Sequence, residues 1–127
     1  MDVIEFRDYC LSLPSVEEST PFDENVLVYK VGGKMFAYAD MNDFRRFAVK
    51  CDPDAAEELR ACHPEVQPAH HSSKRHWNDI YTDGALADDF LRQQIYDSYL
   101  LVIRKNVTPK ALRSELLETL QSLGFSI

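Results

Sequence analysis

The sequence predicts an α+β fold, an antiparallel β meander sheet with helices packed on one face. Three observations carry that prediction. Two β-rich runs flank a Gly32-Gly33 pair, and such a pair marks a two-residue hairpin because primed turns need positive φ, which glycine supplies without a Cβ clash. Apolar residues recur at helical spacing toward both ends of the chain. The 127 residues, 45% hydrophobic and 28% charged, suit one sizeable core and a single domain spanning 1–127.

The elements follow in order. From about Asp2 to Leu13, the residues Val3, Phe6, Cys10 and Leu13 share one helical stripe, while Asp2, Glu5 and Asp8 face elsewhere. Pro14 stops this helix. The run Glu17-Glu18-Ser19-Thr20 is read as a short edge strand ended by turn residues. The hairpin pairs Val26–Val31 with Lys34–Ala39. With Val31 opposite Lys34 and strict alternation, Leu27, Tyr29, Val31, Phe36 and Tyr38 form the core face, and Val26, Val28, Lys30, Met35, Ala37 and Ala39 the other.

A turn at Asn42-Asp43 introduces a third strand, Phe44 to Lys50, which sets Phe47 beside Tyr38 and Val49 beside Phe36. The opposite face then gains Arg46, Ala48 and Lys50, so the solvent side of the meander is expected to be flat, small and basic. Asp52-Pro53 starts a helix to Cys62 with a capping side chain and an N1 proline. The stretch Glu65 to Lys74 reads as a loop, and His76 to Thr82 as a strand ended by Asp83-Gly84. Between Ala87 and Asn106 the stripe Leu91, Ile95, Tyr99 and Val102 marks the longest helix. A last helix opens at Thr108-Pro109, read as a cap and N1 proline, and stops at Gly124.

Chemistry-bearing patterns are sparse. Cys51, Cys62, His63, His70, His71 and His76 fall in one quarter of the chain, but without the paired spacing that structural zinc sites use. Neither a metal nor a cofactor is expected. Ser98 sits inside a helix without a nucleophile elbow, and the four glycines form no phosphate-cradling loop. The expectation is therefore a non-enzymatic protein with no catalytic residues, with a small-molecule-binding enzyme built from Cys51, His76 or paired acids as the lesser alternative. Three cysteines and no secretory leader pattern indicate the cytoplasm, and no apolar run is long enough to span a membrane.

Charge is segregated. The net charge is −7, yet residues 1–29 hold seven acids and one base, whereas residues 30–50 hold five bases and two acids. Further basic clusters are Lys74-Arg75-His76, before the only tryptophan Trp77, and Arg104-Lys105 with Lys110 and Arg113. Bases interleaved with aromatics can grip phosphates and stack on nucleobases. Against a polyanion the overall negative charge makes such binding weak and salt-sensitive.

Five segments carry a resemblance: Leu13-Pro-Ser-Val-Glu-Glu18, Val31-Gly-Gly-Lys-Met-Phe36, Val49-Lys-Cys-Asp-Pro53, Lys74-Arg-His-Trp-Asn78 and Asp97-Ser-Tyr99. Together they resemble the MmcQ/YjbR family of small bacterial proteins over nearly the whole chain. The resemblance implies a CyaY-like (frataxin) fold and DNA binding through hairpin wings on the sheet. Lys34 and the His76-Trp77 pair match its motifs, while Arg45 and Arg46 enter on charge alone. The expected nucleic-acid-binding set is thus Lys30, Lys34, Arg45, Arg46, Lys50, Lys74, Arg75, His76 and Trp77, in a protein expected to be monomeric. The frataxin likeness implies an alternative, an acidic ridge of Asp2, Glu5, Asp8, Glu17, Glu18, Asp23 and Glu24 that binds iron or a protein partner.

Overall fold

In the computed structural model, which describes residues 1–127, the chain runs α1 (Val3–Ser12), β1 (Val16–Ser19), β2 (Val26–Val31), β3 (Lys34–Asp40), β4 (Arg46–Lys50), α2 (Pro53–Cys62), β5 (Val66–Pro68), β6 (Trp77–Tyr81), α3 (Asp88–Lys105) and α4 (Lys110–Ser122). The strands form one antiparallel sheet in the order β1-β2-β3-β4-β6-β5. The expected α+β class holds. Gly32 and Gly33 take φ of 56° and 77°, so the turn is the primed type that the dipeptide predicts.

One residue changes the faces of the sheet. Lys30 stands opposite Met35 but Tyr29 stands opposite Ala37, so Phe36 is an extra residue in β3, a β-bulge. Phe36 and Ala37 are both fully buried, and beyond them the alternation is inverted. Ala37 and Ala39 join the core, whereas Tyr38 packs on the opposite face with Met35, Ala48 and Trp77. Strict alternation had placed Tyr38 inside and the two alanines outside; an inserted residue swaps them. Phe47 and Val49 are buried in the core as expected, although Val49 pairs with Ala37 and Ala48 with Tyr38.

The core lies between the sheet and α1, α3 and α4. Phe6 of α1 stacks on Phe47 at 5.1 Å and meets Tyr29 edge-on at 5.5 Å. From α3 the predicted stripe Leu91, Ile95, Tyr99 and Val102 is fully buried, with Tyr99 edge-on to Phe36 at 5.4 Å. Ser98 enters the sheet itself. Its hydroxyl accepts from the Lys50 N–H at 2.8 Å and donates to the Phe36 carbonyl at 2.6 Å, bridging β3 and β4 where the bulge parts them. The Tyr99 hydroxyl donates to the Pro14 carbonyl at 2.7 Å and ties α3 to the end of α1.

Helix ends are set locally. Asp2 caps α1 and forms a reciprocal capping box with Glu5, and Asp52 caps α2, with Pro53 in its first turn. The last helix begins later than expected: Pro109 is extended and forms the boundary, its carbonyl accepts from Leu112 and Arg113, and Thr108 makes no side-chain cap. The segment expected to be only a loop contains β5. Val66 is buried against Ile80 and Pro68 sits on the sheet edge, where a missing N–H costs nothing.

Candidate functional site

The face of the sheet opposite the helices is not the flat basic surface that alternation implies. Tyr38 and Trp77 occupy it with ring centroids 5.6 Å apart, and the chain from Ala69 to His76 folds over them. The Tyr38 and Ser72 hydroxyls share a 2.6 Å hydrogen bond, and the Lys74 ammonium donates to the Ala69 carbonyl at 2.8 Å. A cavity of about 450 Å3 remains beside this cover. Val26, Met35, Tyr38 and Ala48 line it, and Phe22, 71% exposed, stands at its mouth.

Its polar groups are fixed by their own partners. Asp79, whose side chain is 5% exposed, pairs with Arg46 at 3.4 Å and accepts from the His70 N–H at 3.1 Å. A carboxylate this buried needs those contacts, since an unpaired buried charge is strongly destabilising. Arg46 also lies 5.8 Å from the Tyr81 ring centroid. Asp40, Asp43, His71 and Ser72 complete the polar lining of the cavity. Burial pushes the Tyr38 phenol up from its ordinary value.

The nine residues expected to contact nucleic acid are distributed over several places. Lys30, half-buried opposite Glu17, and the exposed Lys34 lie near the hairpin turn. Lys50, at the same end of the sheet, donates to the Asn106 side chain at 2.9 Å. Arg45 and Arg46 lie at the other end, Arg45 paired with Asp43 at 3.0 Å. Lys74, Arg75 and His76 are exposed in the covering segment, while Trp77 is only 8% exposed and forms part of the wall under it.

The fold brings the hairpin turn against the link between α3 and α4. The hairpin turn packs so closely on Val107 that a Cβ at Gly32 would sit 2.9 Å from its methyl groups. Asn106 holds Lys50, and Arg113 donates to the Val107 carbonyl at 3.2 Å. The turn with Lys34 therefore adjoins residues 104–113, which include Arg104, Lys105, Lys110 and Arg113 and no acid. Sequence reading found both clusters but had no signal that they meet.

Part of the acidic first segment is engaged in structure. Asp2 and Glu5 form the capping box, and Glu18 accepts from Arg7 and from the Tyr29 hydroxyl, each at 2.8 Å. Nowhere do three His, Cys, Asp or Glu side chains gather closely enough to hold a metal ion. Cys10, Cys51 and Cys62 are free thiols. Cys51 is pushed up by burial and by Asp52 and Asp97, which keeps it a neutral thiol and a poor nucleophile.

Helices on one face of an open antiparallel sheet and a cavity on the other define a small α+β domain. The YjbR family model matches residues 11–101, and the chain belongs to that family. It is 30% identical over 119 residues to the uncharacterised protein YjbR of Escherichia coli K12, covering 93% of this chain and 99% of that one. It is 32% identical over 94 residues to the uncharacterised YbdF of Escherichia coli O157:H7, covering 73% and 77% of the two chains. Among solved structures it is similar to Deinococcus radiodurans protein DR2400, a DUF419 domain, with a TM-score of 0.82, 38% identity and coverage of 91% and 87%. A Pseudomonas syringae protein, 22% identical with a TM-score of 0.69 and coverage of 80% and 98%, shares the fold.

Proposed function

We propose that this protein is a non-enzymatic binding domain that takes a small planar organic molecule, neutral or cationic, into the cavity on the open face of its sheet. The cavity itself carries this reading. Its 450 Å3 falls in the range of about 300–1,000 Å3 typical of small-ligand sites, and it combines an apolar floor with a few convergent polar groups. Tyr38 and Phe22 offer ring faces for stacking. Asp79 is paired with Arg46 and Asp43 with Arg45, so Asp40 is the one lining charge without a counter-ion, which favours a neutral or cationic ligand over a phosphate or carboxylate. Three free thiols suit a reducing, cytoplasmic compartment.

Trp77, packed on Tyr38, is a built-in reporter for a test. Planar aromatic compounds, screened by Trp77 emission and melting temperature, should include binders whose affinity falls by about tenfold or more in Tyr38→Ala and in the cavity-filling Ala48→Leu. A screen in which no compound shifts either signal, or in which Ala48→Leu binds as well as the parent, defeats the proposal.

The basic end supports a second reading, contact with DNA. Lys34 with Arg104, Lys105, Lys110 and Arg113 would grip phosphates, while the net charge of −7 keeps the affinity low and steeply dependent on salt. Anisotropy with duplex DNA should detect binding at low salt that disappears near physiological salt. Lys34→Glu with Lys105→Glu should abolish it, whereas Arg45→Glu, at the far end of the sheet, should not. No binding even at low salt rules this reading out.

A further inference from the structure

Three segments far apart in sequence each contribute to one cleft on the helix side of the sheet. The cleft, of about 480 Å3, opens between α2, α3 and the β4–β6 pair. Lys50, Cys51 and Asp52 come from the first segment, Asn78 from the second and Asp97 from the third. Within these segments Asp52 caps α2, Ser98 bridges the sheet, the Asn78 oxygen holds Arg60 and the Asp97 Oδ1 accepts from the Gln93 side chain at 2.7 Å, which leaves the Asn78 Nδ2 and the second Asp97 oxygen without a partner.

Asn78 is the informative residue. It is 1% exposed, and its Oδ1 accepts from the Arg60 Nε at 2.7 Å, which fixes the amide. Arg60 is in turn held by the Lys74 and Trp77 carbonyls. The Asn78 Nδ2 has no partner. A buried donor without an acceptor is unfavourable, and an acceptor brought to it by a ligand recovers the missing bond.

The rest of the lining specifies what else that ligand carries. Asp52, Glu58 and Asp97 outnumber the cations, and the Lys50 ammonium is already held by Asn106 at 2.9 Å. A carboxylate ligand would be repelled, whereas an amine would find acceptors. We infer that this cleft is a second binding site, for a small molecule that presents a carbonyl oxygen to the Asn78 amide and an amine to Asp97 and Asp52. An amino-acid amide is the simplest molecule of that kind. The Cys51 thiol, kept protonated by burial and its acidic neighbours, lines the site without attacking its occupant.

Glycinamide is the probe for a test by 15N NMR on the intact protein. It should shift the Asn78 side-chain amide saturably, and glycine, which carries a carboxylate, should bind more weakly. Asn78→Asp keeps the oxygen that Arg60 holds but removes the donor, and it should weaken glycinamide by about tenfold or more. Asp97→Asn, at an exposed position on α3, should weaken glycinamide while leaving the response to acetamide unchanged, and it serves alone if Asn78→Asp does not fold. Overturning results are an unmoved Asn78 amide, unchanged glycinamide affinity in a folded variant, or glycine binding as tightly as glycinamide. Trp77 lies on the opposite face of the sheet, so a probe that moves the Trp77 indole and leaves the Asn78 amide unmoved occupies the open-face cavity and refutes the second site.

Discussion

Ser98 joins a helix to a sheet through one hydroxyl. It satisfies the Lys50 N–H and the Phe36 carbonyl where the two strands part. Ser98→Ala leaves both groups buried without partners, and each orphaned group costs about 1–3 kcal/mol. Urea denaturation should therefore register a loss of about 3 kcal/mol. Tyr99→Phe removes a single bond to the Pro14 carbonyl and should cost about 1 kcal/mol. Part of this was legible in the sequence, because Ser98 lies on the apolar stripe seven residues after Leu91, and a serine on such a face must find a partner. Which partners it finds depends on the gap between strands that meet Ser98 only in the fold. The orphaned Asn78 amide was illegible for the same reason: its neighbours come from α2 and α3.

At the scale of elements, the hairpin was readable and the bulge was not. A Gly-Gly pair has a backbone preference of its own, so turn type and end register follow from local sequence. The extra residue at Phe36 has no local signature, since Met35-Phe36-Ala37 fits regular alternation equally well. Only packing against Tyr99 and Ser98 selects the form in which Phe36 and Ala37 both point inward. The two turn glycines make a matched pair for a test. Gly33→Ala has no atom within 4 Å of the new methyl group, whereas Gly32→Ala meets Val107 at 2.9 Å. Both substitutions bear the strain of positive φ, about 1 kcal/mol, and Gly32→Ala adds overpacking of about 1–3 kcal/mol. Thermal denaturation should rank Gly32→Ala as the more damaging. In a double-mutant cycle with Val107→Ala the two changes should couple favourably, because the shortened side chain makes room for the new methyl group.

Across the whole molecule, burial sets an alkaline limit on stability. Desolvation is the largest cause raising Tyr29, Tyr99 and Cys10 above their ordinary values, with the Tyr29 hydrogen bond to Glu18 acting in the same direction. The folded chain thus keeps protons that the unfolded chain releases above about pH 8.5 for the thiol and about pH 10 for the phenols. Their contribution is fully present below those values and is lost as pH rises through and beyond them. The urea midpoint should fall steadily above about pH 9, and Tyr29→Phe should flatten that fall. A midpoint that holds or rises at alkaline pH contradicts this assignment.

The sequence by itself determined the fold class, the hairpin, the extents of α1 to α3 to within about two residues and the separation of acidic from basic segments. Each of these depends on residues close together in the chain, where periodicity, capping and turn preference act. The tertiary structure alone decided that Tyr38 faces outward, that residues 69–76 cover the sheet and leave a cavity, that two basic segments adjoin at Val107, and that Lys50, Asn78 and Asp97 share a cleft. Those outcomes depend on one inserted residue and on contacts between segments tens of residues apart. Side-chain alternation has a period of two, so a single insertion reverses a face, and distant contacts have no expression in local sequence.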